Sequence, residues 1–122
     1  MSKTLTRTAL ACALALGAIA AHAEITVGVS LGTTGPGASL GIPYKNAFQL
    51  VPKTLGGEPV RYIVLDDESK PDNAAKNARK FVAEDKVDAL MGSTGVPSAA
   101  AMTQVAAEAK TPTAGQWGMT PE

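Results

Sequence analysis

The sequence predicts an α/β fold in which a parallel, doubly wound sheet carries helices on both faces. Short β-branched and apolar runs alternate along the chain with segments whose apolar residues repeat at helical spacing. Loops that contain Gly, Pro and Ser separate these segments. The run Pro59–Asp66 is almost continuously apolar, which is typical of a strand covered on both faces. The resulting order, β-α-β-α-β-α-β, implies parallel strands joined by right-handed crossovers.

The first strand and the first helix follow from residue type and spacing. Ile25–Leu31 is rich in β-branched and apolar residues, which favours a strand. After a loop at Gly32–Gly37, apolar side chains recur through Ala38–Leu55 at steps that fit one helical face. Gly56 and Gly57 then end this helix.

The alternation continues after the second strand, Pro59–Asp66. The later elements are predicted as a helix at Asp72–Lys86, a strand at Val87–Met91, a helix at Pro97–Lys110 and a strand at Thr111–Gln116. The first of these helices buries the face that carries Ala74, Ala75, Ala78, Phe81 and Val82. The last strand has the weakest pattern, because Pro112 and Gly115 interrupt it.

Residues 1–23 have the three parts of a secretory signal peptide. Met1–Arg7 is basic, Thr8–Ala21 is apolar, and Ala21-His22-Ala23 is a small-x-small cleavage site. The apolar run is shorter than the roughly 20 residues of a spanning helix, so we expect cleavage, a periplasmic location and no membrane insertion afterwards. The alternative, a buried helix of the domain, fits less well because the run is apolar on every face.

The composition limits the chemistry. The single His22 and the single Cys12 both precede the expected cleavage site. The mature chain then has no Ser–His or Cys–His nucleophile, no disulfide and no His/Cys zinc site, and we expect neither metal nor cofactor. With 11 basic and 11 acidic residues, the formal net charge is zero, so we expect no nucleic-acid partner. The length allows one small domain at most.

The best candidate site lies where the strand order reverses. Ligands of open α/β sheets bind outside the carboxyl ends of the strands at that point. If the strand order is 2-1-3-4, Thr33–Gly37 lies beside Ser93–Val96. Ser93 and Thr94 carry hydroxyls, Gly95 allows close approach, and the helix that follows favours an anion. We therefore hypothesise a bound carboxylate. The alternative is that these hydroxyls simply cap the helix.

Two further motifs have competing interpretations. Asp66-Asp67-Glu68 is the densest acidic cluster and could bind a cation or act as a carboxylate pair, but we interpret it as a solvated loop before the next helix. Gly35–Gly41 is a loose glycine fingerprint between a strand and a helix, with Asp66 ending the next strand, which leaves a Rossmann-type dinucleotide-binding oxidoreductase as an alternative. Pro36, which lacks an amide donor, argues against that alternative.

Several motifs in fixed order carry a resemblance to one family. They are Ile25-Thr26-Val27-Gly28-Val29, Thr34-Gly35-Pro36, Leu65-Asp66-Asp67 with Pro71, the segment Ala74–Val82, Met91-Gly92-Ser93-Thr94 and Thr120-Pro121-Glu122. Together they resemble the amino-terminal part of the periplasmic leucine/isoleucine/valine-binding proteins of ABC transporters. The resemblance covers residues 24–122.

The resemblance implies a substrate-binding component and not an enzyme. Residues 24–122 would form an incomplete first lobe of a two-lobed, monomeric protein that closes on a branched-chain amino acid or a similar small solute and delivers it to a permease. We expect this fragment alone to bind ligand poorly and to aggregate, because it supplies one wall of the pocket and an open strand edge. A ligand-binding lobe of a sensory receptor is the other alternative.

The resemblance also assigns residues to the ligand. In the family, the loop after the third strand holds the ligand carboxylate through a Ser, a role that falls on Ser93 or Thr94, with Gly95 beside them. The loop after the fourth strand usually reads Ala-Ala-Thr and binds the ammonium group. Trp117 and Met119 stand in that loop here, and Met119 has no hydroxyl.

We predict cleavage between Ala23 and Glu24 on export, because the small-x-small site directly follows the apolar run. Amino-terminal sequencing of the exported protein should begin Glu24-Ile25-Thr26. A mature protein that retains Cys12 in lipidated form would contradict this.

Overall fold

The computed structural model describes residues 23–115, which form five strands, three α-helices and one 3-10 turn. The strands are β1 (Ile25–Leu31), β2 (Thr54–Leu55), β3 (Glu58–Asp66), β4 (Ala89–Gly92) and β5 (Thr113–Ala114). The helices are α1 (Ala38–Ala47), α2 (Pro71–Ala83) and α3 (Val96–Ala109), and the 3-10 turn is Gly35–Gly37. Of the predicted signal peptide, only Ala23 lies within this range.

The sheet has the order β2-β3-β1-β4-β5. The central strand β1 pairs in parallel with β3 on one side and with β4 on the other, and β4 pairs in parallel with β5. Val27, for example, lies between Tyr62 of β3 and Ala89 of β4. The chain therefore winds first to one side of β1 and then to the other, which confirms the doubly wound sheet.

Helices cover both faces of this sheet. On one face, Phe81 of α2 and Met102 of α3 are completely buried with Leu90 of β4. On the other face, Tyr44 of α1 and the following Phe48 pack on buried aliphatic residues of β1 and β3, namely Val27, Val29, Leu31 and Val60. The predicted arrangement of layers is confirmed, and the burial of α2 through Ala74, Ala78 and Phe81 agrees with its predicted face.

The alternation of β1 assigns its residues to these two layers. Val27 and Val29 belong to the cluster under α1, whereas Gly28 faces α2. A methyl group built on Gly28 would lie 2.5–2.9 Å from ring atoms of Phe81. The absence of a side chain at this position therefore lets the largest buried residue of α2 lie directly on the central strand.

The predicted helix Ala38–Leu55 is wrong in its second half. The helix ends at Ala47, and Thr54–Leu55 instead forms β2, which pairs antiparallel with the start of β3. Gly56 and Gly57 both have positive φ, which is the requirement of a two-residue hairpin turn. Glycine pairs serve helix ends and hairpins alike, so the apolar spacing alone could not distinguish them.

Smaller differences concern the ends of the other elements. The helix predicted at Asp72–Lys86 ends at Ala83, and the strand predicted at Val87–Met91 begins at Ala89. The predicted Pro97–Lys110 helix spans Val96–Ala109, and Lys110 follows it in the left-handed conformation that closes many helices. The last predicted strand shortens to Thr113–Ala114 within the described range, which stops before Gln116. Between residues 23 and 115, no helix combines the length and the apolar character that crossing a membrane requires.

Gly28→Ala should destabilise the full-length protein, because the new methyl group would overlap the Phe81 ring. Overpacking of this kind costs about 1–3 kcal/mol, which urea denaturation can measure. In a Phe81→Leu background the same substitution should cost less, since the ring is gone. An equal cost in both backgrounds would show that the ring contact is not the cause.

Candidate functional site

The carboxyl ends of β1, β3 and β4 lie side by side and bring three loops together. The N–H of Gly32, just after β1, donates to Oγ1 of Thr94 after β4 at 3.3 Å. This bond joins the two loops at the reversal of strand order, so their predicted proximity is confirmed. The loop after β3, at Asp66–Lys70, lies against the β1 loop, because the hydroxyl of Ser69 accepts from the N–H of Gly37 at 2.9 Å.

Asp67 is the buried centre of this edge. Its Oδ2 accepts the hydroxyl of Ser93 at 2.6 Å and the hydroxyl of Ser30 at 2.9 Å, and its Oδ1 accepts the N–H of Ser69 at 2.9 Å. Asp67 has no exposed surface, so the interpretation of the whole acidic cluster as a solvated loop was wrong at this residue. The correction has a physical reason: three donors from separate segments replace the water that a buried carboxylate loses.

Asn77 of α2 extends the hydrogen-bond network. Its Nδ2 donates to the hydroxyl oxygen of Ser30 at 3.1 Å and to the backbone oxygen of Asp66 at 3.0 Å. The backbone N–H of Asp67 donates to the carbonyl of Leu31 at 3.0 Å. The strand ends are thus tied to each other and to α2.

Asp66 lies on the solvent side and organises the β1 loop. It accepts the Thr34 hydroxyl at 2.6 Å and the N–H groups of Thr33, Thr34 and Glu68 at 2.9, 3.2 and 2.9 Å. Partial burial acts to raise its pKa, but these four hydrogen bonds outweigh it and lower the pKa from 3.8 to about 2. In a dinucleotide-binding unit the acid at this position would accept hydrogen bonds from a ribose. Here Asp66 accepts them from the β1 loop, which argues against the Rossmann-type oxidoreductase.

Of the predicted ligand residues, the structure describes Ser93, Thr94 and Gly95. Ser93 is only 1% exposed and its hydroxyl donates to Asp67. Thr94 is 8% exposed, and its oxygen accepts from Gly32, which leaves the hydroxyl proton available for an acceptor. Trp117 and Met119 lie outside the described residues, so their assignment to the ligand stays a prediction.

Gly95 stands immediately before α3, whose first turn no side chain caps. The Ser93 hydroxyl donates to Asp67 and the Thr94 hydroxyl accepts from Gly32, so the alternative that these hydroxyls cap the helix is wrong. The first N–H groups of a helix have no acceptor within it, and together with the helix dipole they favour a negative charge. The Thr94 hydroxyl and this helix start can therefore hold an acidic oxygen of a ligand. Within residues 23–115, no group of three or more His, Cys, Asp and Glu could hold a metal ion.

The sequence reasoning missed the roles of Asp67, Ser30 and Asn77. The available signal was the position of Asp67, directly after a strand that runs parallel to two others. Such a position places a side chain among the neighbouring strand ends, where donors from β1 and β4 can reach it.

Comparisons with known proteins give a consistent set of similarities. The family model described as periplasmic binding protein matches residues 24–122. An extracellular ligand-binding receptor from Rhodopseudomonas palustris is 49% identical with a TM-score of 0.75, over 76% of this chain and 26% of that one. No curated protein matches the chain.

Two further solved structures are more distant. A solute-binding protein of an ABC transporter from Rhodopseudomonas palustris, in complex with 3,4-dihydroxybenzoic acid, is 31% identical with a TM-score of 0.71, over 75% of this chain and 26% of that one. A leucine-binding protein from Thermotoga maritima is 26% identical with a TM-score of 0.70, over 75% and 27%. The chain spans about a quarter of the length of these structures. The matches confirm the resemblance and the fold expected from the sequence.

Asp66→Asn should weaken the acid sensitivity of the protein. Because the folded state lowers the pKa of Asp66, its contribution to stability is complete above about pH 4 and is lost as the pH falls to about 2. The variant keeps an oxygen acceptor without the charge. Its free energy of unfolding should therefore fall less over this range than that of the wild type, by about 1 kcal/mol or less at so exposed a side chain.

Urea denaturation between pH 5 and pH 2 measures this difference. As a matched variant, Thr34→Val removes one donor to Asp66 and should move the acid-dependent loss of stability to higher pH. Identical pH profiles for the wild type and both variants would contradict the assignment.

Proposed function

We propose that this chain, which belongs to the periplasmic binding protein family, is part of the substrate-binding component of an ABC transporter. In this proposal, residues 1–23 are a cleaved signal peptide and residues 24–122 are the amino-terminal part of the first lobe. The protein binds a branched-chain amino acid or a similar small carboxylate in the periplasm and delivers it to a permease.

The observation that carries the proposal is the pairing of Thr94 with the uncapped start of α3. The hydroxyl of Thr94 accepts from Gly32 and so can donate to a ligand, and the helix start beside it favours an anion. Leucine and 3,4-dihydroxybenzoate, named for two of the similar structures, share one group, a carboxylate. We therefore assign the ligand carboxylate to the Ser93–Gly95 loop.

The far end of the ligand is proposed from sequence. Trp117 and Met119 replace the small residues and the hydroxyl with which the family binds an ammonium group. Met119 cannot donate a hydrogen bond, and an indole packs well on a flat apolar surface. These residues fit a carboxylate whose other end is apolar or aromatic better than they fit an α-amino acid.

The proposed binding mechanism follows from the fact that these loops can contact a ligand from one side. The β1 and β4 loops hold the carboxylate, and a second lobe closes over the rest of the ligand by a hinge motion that a permease can distinguish from the open form. No covalent chemistry is required, which agrees with the binding proteins and receptors to which the chain is similar.

A sensory receptor is the second candidate, because one similar structure is described as an extracellular ligand-binding receptor. The two functions differ in what accompanies the binding domain. Neighbouring permease and ATPase genes would support transport, whereas a membrane-spanning segment in the same gene product would support a receptor.

Binding of a carboxylate panel by the full-length gene product tests the proposal. Calorimetry with L-leucine, L-isoleucine and 3,4-dihydroxybenzoate should detect at least one ligand. Thr94→Val should weaken its binding roughly 10- to 150-fold, because one hydrogen bond to a charged group is lost.

Thr103→Val is the matched control, since it removes a hydroxyl of α3 that donates to Ala99. The control should bind like the wild type. Full affinity in Thr94→Val, or no binding of any carboxylate to the wild type, would contradict the proposal.

A further inference from the structure

Resting on the proposed function, we infer that Asp67 is a positioning residue for the ligand loop and that Ser93 acts through Asp67 without contacting the ligand. The polar groups that face the ligand are then the Thr94 hydroxyl and the first N–H groups of α3. Asp67 fixes where this part of the loop lies.

First, the hydroxyl protons of Ser93 and Ser30 are both donated to Asp67. A serine hydroxyl has one proton to donate, and that of Ser93 goes to Oδ2 of Asp67 at 2.6 Å. Ser30 donates its own proton to the same oxygen and accepts from Asn77. Neither hydroxyl has a proton left for a ligand. Ser93 is also 1% exposed, so its side chain lies beneath the site.

The second step concerns the cost of disturbing a buried carboxylate. Asp67 is fully buried, and its three donors come from β1, from the loop after β3 and from the loop after β4. A buried charge that loses a donor is strongly disfavoured, so the segments that supply the donors are held in place. The donor from the third segment, Ser93, is the residue directly before Thr94.

The third step links this anchor to the ligand. The Thr94 side chain accepts a hydrogen bond from the N–H of Gly32, and its neighbour Ser93 donates one to Asp67. These two hydrogen bonds hold Ser93 and Thr94, which directly precede α3, in the structure without ligand. Such preorganisation lowers the cost of ordering the loop on binding.

A double-mutant cycle separates positioning from direct contact. In the full-length protein, Ser93→Ala and Asp67→Asn should each weaken binding of 3,4-dihydroxybenzoate or L-leucine about tenfold. The affinity of the double variant should lie within about twofold of that of Asp67→Asn alone. Thr94→Val should lower affinity less in the Asp67→Asn background than in the wild type, because the loop that carries the Thr94 hydroxyl is then no longer held in place. If Ser93→Ala keeps its full effect without Asp67, Ser93 contacts the ligand and the inference fails.

An experiment without ligand keeps this test independent of the proposed function. In NMR spectra of the ligand-free protein, Ser93→Ala and Asp67→Asn should shift the same amide signals, those of Thr94 and Gly95, and the double variant should add little. Additive shifts, or shifts confined to each substituted residue, would overturn the inference even if no panel ligand binds.

Should Asp67→Asn not fold, Ser30→Ala replaces it, because it removes a second donor to the same oxygen from β1. It should shift the Thr94 and Gly95 amides and weaken binding although Ser30 has no exposed surface. Unchanged amides in a folded Ser30→Ala protein would reject the positioning role.

Discussion

A buried carboxylate sets the geometry of the edge at which β1, β3 and β4 end. Asp67 has no contact with solvent, and removing such a charge from water costs several kcal/mol unless donors replace the water. Two donors come from segments far from Asp67 in sequence: Ser30, 37 residues before it, and Ser93, 26 residues after it. The third donor is the N–H of Ser69, in the same loop as Asp67. Their hydrogen bonds therefore fix the positions of the ends of β1, β3 and β4 relative to one another, and with them the positions of the loops that follow.

The neighbouring Asp66 completes this arrangement from the opposite side. Successive residues at the end of an extended strand point in opposite directions, so two adjacent acids reach two different loops. Asp67 reaches inward to the β4 loop, while Asp66 reaches outward and accepts hydrogen bonds from Thr33 and Thr34 of the β1 loop. The adjacent acids Asp66 and Asp67, which in the sequence suggest a cation site, therefore accept hydrogen bonds from the protein's own N–H groups and hydroxyls.

The sequence contained most of the fold and less of the site. Strand β1 was predicted residue for residue, because a β-branched run between polar boundaries has few other interpretations. The alternation of elements predicted parallel strands, and the order 2-1-3-4 that was assumed for the predicted strands agrees with β3-β1-β4-β5 in the sheet. The hairpin at Thr54–Glu58 was missed because the apolar spacing of the preceding residues also fits a helix. The position of Asp67 directly after a strand indicated a side chain among the strand ends, but not its burial, which depends on where two distant serines lie once the strands have paired.

Under the proposed function, the same network bears on what a second lobe would have to supply. The three donors to Asp67 described above and the Gly32 bond to Thr94 lie within residues 23–115, so contacts within this part of the chain order these loops. Loops that are already ordered can orient a ligand without the entropy cost of ordering them on binding. Closure then adds mainly the burial of the ligand's other surface, on which affinity for a small molecule depends. Under the proposed function, these preordered loops would bind the carboxylate, and discrimination among carboxylates would depend on residues that contact the opposite end of the ligand.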